Sequence, residues 1–178
     1  HLFTDESGNS IGDTDRVIFP IQVTPSQPGK PVTLKLRIDY AVCEKLCIPA
    51  EGKAELTLAR GPSAQGPNVA AADARVPKEI SAADAGLTVR RVNDDAKPLI
   101  AVDLKTGTGK PAVLFVEGPT PEWALPIPKP AQGAPAGHQH FGFELDGLPP
   151  GTSPKGHFDL TLTMVQGDHV TEGKTHLD

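Results

Sequence analysis

Phe158-Asp-Leu-Thr-Leu-Thr-Met-Val-Gln166, followed by Gly167-Asp168 and by His169 to His176, is the stretch that decides the fold. Phe158, Leu160, Leu162 and Met164 alternate with Asp159, Thr161, Thr163 and Val165. A period of two places the apolar set on one face of a strand. Gly167-Asp168 has glycine first, which suits a two-residue hairpin turn, so His169 to His176 is the expected return strand. Working outward, His140, Gly142 and Glu144 alternate with Phe141, Phe143 and Leu145 in a further strand. Leu87 to Val92 and Leu99 to Leu104 read as strands, and Ala112 to Val116 is apolar enough to be expected buried on both faces. Gly118-Pro-Thr-Pro121 breaks the chain before Trp123, read as a packing plug between sheets. Pro126, Pro128 and Pro130 are expected to keep the next segment extended and unpaired. About six strands with this punctuation predict an all-β chain with an immunoglobulin-like β-sandwich over 86–178.

The first third is β by pattern too. Residues 1–14 are polar and rich in turn formers, which predicts a loop. Val17, Phe19, Ile21 and Val23 alternate with Arg16, Ile18, Pro20 and Gln22, predicting a strand with an edge or bulge at Pro20. After the turn 24–29, Val32, Leu34, Leu36 and Ile38 alternate with Thr33, Lys35, Arg37 and Asp39 in the cleanest strand of this part. Ala54, Leu56 and Leu58 predict a third. Gly61 to Pro67 reads as a linker, and the alanine-rich piece beyond it is expected to hold a short helix beginning at Pro77 and ending at Gly86. The expected division is a small β domain over 1–60, a linker over 61–85 and the sandwich over 86–178. Three strands bury only a small core, so the first domain is expected either to dock on the second or to lack strands upstream of His1.

Composition sets the function classes. The chain has 178 residues and a net charge of −5 without a basic stripe, which argues against nucleic acid as a partner. No apolar run approaches the roughly 20 residues that span a bilayer, so the piece is expected to be soluble. It begins at His1 without an initiator Met, which suggests a processed fragment. Gly107-Thr-Gly109-Lys110 lacks the full spacing of a phosphate loop and is read as a hairpin turn.

The candidate chemistry lies in Asp39-Tyr-Ala-Val-Cys43-Glu-Lys-Leu-Cys47-Ile-Pro49-Ala-Glu51, which carries both cysteines. The strand pattern is expected to end before them and Pro49 to force a turn. Thiols this close make only a very small ring, which requires Cα atoms about 4.4–6.8 Å apart. Such a ring constrains the unfolded chain little and is easier to reduce than a staple across a long loop. Three readings stand side by side. The pair is a small structural disulfide of an exported domain. It is a redox pair that cycles by exchange, with Lys45 helping a thiolate and Glu44 opposing it. Or it is a copper or zinc site completed from elsewhere, although two cysteines are too few for a closed structural zinc site and no histidine falls at the usual spacing. Tyr40 either packs or shields the pair. His138 and His140 alternate on a strand and are either two solvent-facing side chains or a metal chelate.

The same stretch, together with Val17-Ile-Phe-Pro20, resembles the periplasmic N-terminal region of the DsbD/ScsB group of thiol:disulfide interchange proteins. It is most similar to the ScsB-like branch associated with copper tolerance. The resemblance implies an immunoglobulin-like domain outside the cytoplasm that takes electrons from a membrane-linked thioredoxin-like donor and passes them to periplasmic clients. It further implies that Cys43 and Cys47 are the exchanging pair, with Cys47 the sulfur engaged by the donor, and that Tyr40, Ile48 and Pro49 shield or seat the partner. The exchange reading assigns no metal and no cofactor, with a non-catalytic periplasmic copper-binding or interaction module as its alternative, and the resemblance implies a transmembrane region elsewhere in the full protein. The spacing departs from the better-known DsbD pattern, with Ile48 where an aromatic residue usually follows the second cysteine.

Overall fold

The computed structural model describes residues 2–5, 8–44, 46–58, 61, 63–93, 95–106 and 110–178. The expectations placed on Lys45 and on the Gly107-Thr-Gly109 turn lie outside them. The described residues form twelve strands and one helix in the order β1 (Leu2–Asp5), β2 (Gly8–Ile11), β3 (Val32–Cys43), β4 (Cys47–Leu58), α1 (Gly66–Asp73), β5 (Lys78–Ser81), β6 (Leu87–Arg91), β7 (Leu99–Lys105), β8 (Val113–Glu117), β9 (Lys129–Ala131), β10 (His138–Glu144), β11 (Phe158–Gln166) and β12 (His169–Leu177). The chain divides into two compact units, one of Val17–Ala74 and one joining His1–Arg16 to Arg75–Asp178.

The larger unit is the β-sandwich. One sheet has the order β6-β7-β10-β9 and the other β5-β12-β11-β8. Along β11, Phe158, Leu160, Leu162 and Met164 are all buried, as the period-two pattern requires. They meet Ile100, Val102 and Leu104 of β7 and Phe141 and Phe143 of β10 in one core cluster. The β11–β12 register closes at Gln166↔His169 across Gly167-Asp168, and Gly167 takes φ 63°, which glycine adopts without a Cβ penalty. Trp123 packs its ring edge-on to Phe158 with centroids 4.8 Å apart. That placement needs Gly118, because a Cβ there would lie 2.3 Å from the Trp123 ring.

Five local expectations are corrected. Residues 1–14 are not all loop, since β1 and β2 pair as a short hairpin. Val17–Val23 forms no strand: the alternation is present, but Pro20 lacks a donor, no ladder partner exists among the described residues, and Phe19 and Ile21 stay 62% and 66% exposed. The helix starts at a different proline. Pro67 lies in the first turn of α1, just after Gly66, while Lys78–Ser81 after Pro77 joins β12 as a parallel strand, because a sheet edge supplies ladder bonds that outweigh the helix propensity of the alanine-rich piece. Finally, β8 is an edge strand with Val113 40% exposed, so it is not buried on both faces, and Pro130 is paired, opposite Phe141.

At one end of the sandwich, Leu145 N–H donates to Pro98 O at 2.8 Å and Lys97 Nζ meets Asp146 Oδ2 at 2.7 Å. The Lys97 hydrogen bond, then the Gly147 N–H, holds the Asp146 carboxyl below its ordinary range, and Asp146 in turn raises Lys97. The depressed carboxyl lends stability above its unfolded pKa that is lost as pH falls through the folded value. The raised amine lends stability at lower pH that is lost as pH rises through its folded value. In an NMR titration, Lys97→Met is expected to move the Asp146 midpoint upward. An unchanged midpoint would mean the pair does not form in solution.

Candidate functional site

The 17–74 unit is dominated by a ribbon in which β3 and β4 pair over twelve rungs, from Val32↔Leu58 to Cys43↔Cys47. The strand therefore does not stop before the cysteine stretch. It runs through Asp39–Cys43, and Pro49 sits inside β4 opposite Ala41 instead of forcing a turn. Proline is admissible there because each strand of a two-stranded ribbon has an unpaired edge where no N–H is needed.

Cys43 and Cys47 close the tip. Their Cα atoms are 4.1 Å apart, close to a directly opposed, non-hydrogen-bonded antiparallel pair, and they are joined as a disulfide. Both cysteines are exposed. Directly opposed residues share a face of the ribbon and alternate rungs change face. The sulfurs therefore share their face with Ala41 and Pro49, then Asp39 and Glu51, then Arg37 and Lys53, then Lys35 and Glu55. This face is held by ion pairs. Arg37 Nε lies 2.7 Å from Glu51 Oε2, Lys53 Nζ 2.6 Å from Glu51 Oε1, and Lys35 Nζ 3.7 Å from Glu55 Oε2. All are exposed, so they set solubility and approach of charged partners more than stability.

The opposite face is apolar. It carries Leu36, Ile38, Tyr40 and Val42 from β3 and Ile48 and Leu56 from β4, each between 36% and 62% exposed. Gly52 completes it by letting Ile38 and Tyr40 close over its backbone, 3.0 and 3.8 Å from where a Cβ would stand. Of the residues read from sequence, the structure thus brings Pro49 beside the disulfide and places Tyr40 and Ile48 on the other face. Leu46, at the tip, is 75% exposed; its signal in the sequence is an apolar residue between the two cysteines.

His138 and His140 do share a face of β10, and that face has a third member. His138 Nδ1 is 2.8 Å from Asp103 Oδ1 and His140 Nε2 is 2.7 Å from Asp103 Oδ2, so the two imidazoles bracket one carboxylate on β7. Neither belongs to the ribbon.

No family model and no curated protein matches the chain. Among solved structures it is similar to the N-terminal periplasmic domain of ScsB from Proteus mirabilis, with a TM-score of 0.54 at 13% identity. The match covers 77% of this chain and 54% of that one, so the chain spans about half the length of its structural relative. At this identity the likeness is one of fold. None of the helices among the described residues is long and apolar enough to cross a membrane.

Proposed function

We propose that this chain is an exported thiol-disulfide exchange domain in which the Cys43–Cys47 pair accepts two electrons from a thioredoxin-like donor and passes them to a client protein. The observation that carries the proposal is the position of the disulfide. It lies at the exposed tip of a two-stranded ribbon, where a thiolate can reach either sulfur. A staple meant to hold a fold would close a long loop between distant elements; this one closes an existing hairpin turn between adjacent strands. The fold likeness to a periplasmic domain supports an oxidising compartment as the setting.

The step balances simply. A donor thiolate attacks one ribbon sulfur, the other leaves as thiolate, and a mixed disulfide forms. The donor's second thiol displaces it, leaving a ribbon dithiol and a donor disulfide, with two electrons and two protons transferred. The client disulfide is reduced by the reverse sequence. Tyr40, Val42, Leu46 and Ile48 offer apolar contact for a docking protein at the same tip, where exposed apolar side chains cluster beyond what a free surface needs.

The test is equilibration of the pair in glutathione or dithiothreitol redox buffers with trapping of the free thiols. The expected midpoint lies above about −300 mV, in the range of exchange proteins, with full reduction in native buffer. A much lower midpoint, or thiols reached only in denaturant, would leave an inert staple.

A further inference from the structure

The sequence contains two H-x-D triplets, His157-Phe158-Asp159 and His176-Leu177-Asp178, and the β11–β12 register lays them side by side. Phe158 pairs with Leu177 and Asp159 with His176. Both middle residues are buried, so by strand alternation the four flanking polar side chains stand together on the outer face of the sheet.

Their distances fall into two kinds. His176 Nδ1 is 2.8 Å from Asp159 Oδ1, a hydrogen bond. Asp178 Oδ1, in contrast, lies 3.6 Å from His157 Nδ1 and 3.5 Å from His176 Nε2, too far for an N–H···O bond to either. Two imidazole nitrogens and one carboxylate oxygen therefore surround a common point without bonding to each other, all within 4.8 Å. The edges of a tetrahedral site with bonds of about 2.0–2.1 Å are about 3.3–3.4 Å, close to the two carboxylate–imidazole separations, while the two imidazole nitrogens, within 4.8 Å of each other, are brought to that spacing by rotation of these exposed side chains on binding. The imidazole planes are 5° from parallel with centroids 6.2 Å apart.

Two further contacts preorganise the group. Asp159 accepts the Nδ1 proton of His176, which fixes the tautomer with a lone pair on Nε2, the arrangement by which a carboxylate orients a metal-binding histidine. Arg91 of β6 donates from its two terminal nitrogens to Gly156 O at 2.9 Å and to the main-chain oxygen of Asp178 at 3.0 Å. It thereby pins the backbone just before His157 and at Asp178.

We propose that His157, His176 and Asp178 form a binding site for a late first-row divalent cation, with Asp159 as a positioning residue and a remaining coordination position open to solvent. Imidazole with carboxylate suits zinc and copper(II) in preference to magnesium or calcium. The three ligand side chains are 54–87% exposed, so the site is an open surface site. It stands on the sandwich and is independent of the exchange proposal.

The test is calorimetric titration of zinc into the full, disulfide-oxidised, chelator-stripped chain, paired with NMR of the histidine ring nitrogens. Expected are one bound zinc, perturbation of His157 and His176 but not His138 or His140, and at least a tenfold loss of affinity in His157→Ala and in His176→Ala. Asp159→Asn is expected to weaken binding 10–100-fold and to shift the zinc-free His176 ring-nitrogen signals away from the single tautomer. Unchanged thermal unfolding of these exposed variants separates site loss from misfolding. Absence of binding at millimolar zinc overturns the proposal. So does binding that survives the His157→Ala/His176→Ala double variant, or that disappears instead in His138→Ala/His140→Ala.

Discussion

Phe141→Ala is expected to lower the stability of the sandwich by about 3–5 kcal/mol, the range for truncating a fully buried phenylalanine. Phe141 is 2% exposed on β10, a strand paired on both sides, opposite Val102 of β7 and Pro130 of β9. Its loss removes apolar burial and leaves a cavity. Little relaxation is available, because the surrounding Ile100, Leu114, Leu160 and Leu162 are completely buried and already in contact across the two sheets. Trp123 is the only tryptophan of the chain and packs in this unit, so its fluorescence reports unfolding of the sandwich specifically. In a urea titration the midpoint is expected to fall without a change in slope. Phe19→Ala is the control: the ring is 62% exposed outside any strand, and a change within about 0.5 kcal/mol is expected. Equal losses from the two substitutions would contradict the core assigned here.

The sandwich was legible because its strands obey the rule that makes a pattern readable. β7, β10 and β11 each bury one face and expose the other, so Ile100, Val102 and Leu104, Phe141 and Phe143, and Phe158 to Met164 recur at every second residue. Where that condition fails, the sequence misleads. Val17 to Val23 alternates equally well, yet forms no ladder, because periodicity records a tolerable surface and not the presence of a partner strand. The Pro77 helix was misplaced for a related reason. Alanine content favours a helix locally, but pairing of Lys78–Ser81 with Thr171–Lys174 is contributed by residues about ninety positions away, which no local window contains.

The cysteine stretch was legible as chemistry but only partly as geometry. The alternation of Ile38, Tyr40 and Val42 continues the β3 pattern up to Cys43, and Pro49 concealed it, since proline signals a turn in a central strand and is harmless on the open edge of a ribbon. Which face carries the sulfurs depends on the register, and Cys43↔Cys47 places them with the charged residues, opposite Tyr40 and Ile48. The paired H-x-D triplets illustrate the same limit. Each is unremarkable alone, and only the β11–β12 register, set by a two-residue turn that the sequence does announce, brings the four polar side chains to one place.

The largest functional effect is expected from splitting the cysteine pair. In Cys43→Ser and Cys47→Ser alike, the two-electron cycle stops, since a single thiol can form a mixed disulfide but has no neighbour to resolve it. The two variants are nevertheless expected to differ in what they trap. In these single-thiol variants the remaining ribbon sulfur is the nucleophile that attacks the donor's activated disulfide and releases the activating thiol, and the charge of Glu44, adjacent to Cys43, opposes negative charge on that sulfur. Cys47 is followed by Ile48 and Pro49, which add no charge, and stands opposite the same rung at 4.1 Å between Cα atoms. Incubated with a thioredoxin-like donor whose resolving cysteine has been removed and activated as a mixed disulfide, Cys43→Ser is expected to accumulate the covalent complex through Cys47. Cys47→Ser should trap several-fold less. Adding Glu44→Gln to Cys47→Ser should narrow the gap, because it removes the charge and leaves the ribbon unaltered. Mass spectrometry of the trapped complex identifies the sulfur. Equal trapping by both variants would remove Cys47 from the donor-facing role, and trapping by neither would remove exchange from the account of this ribbon altogether.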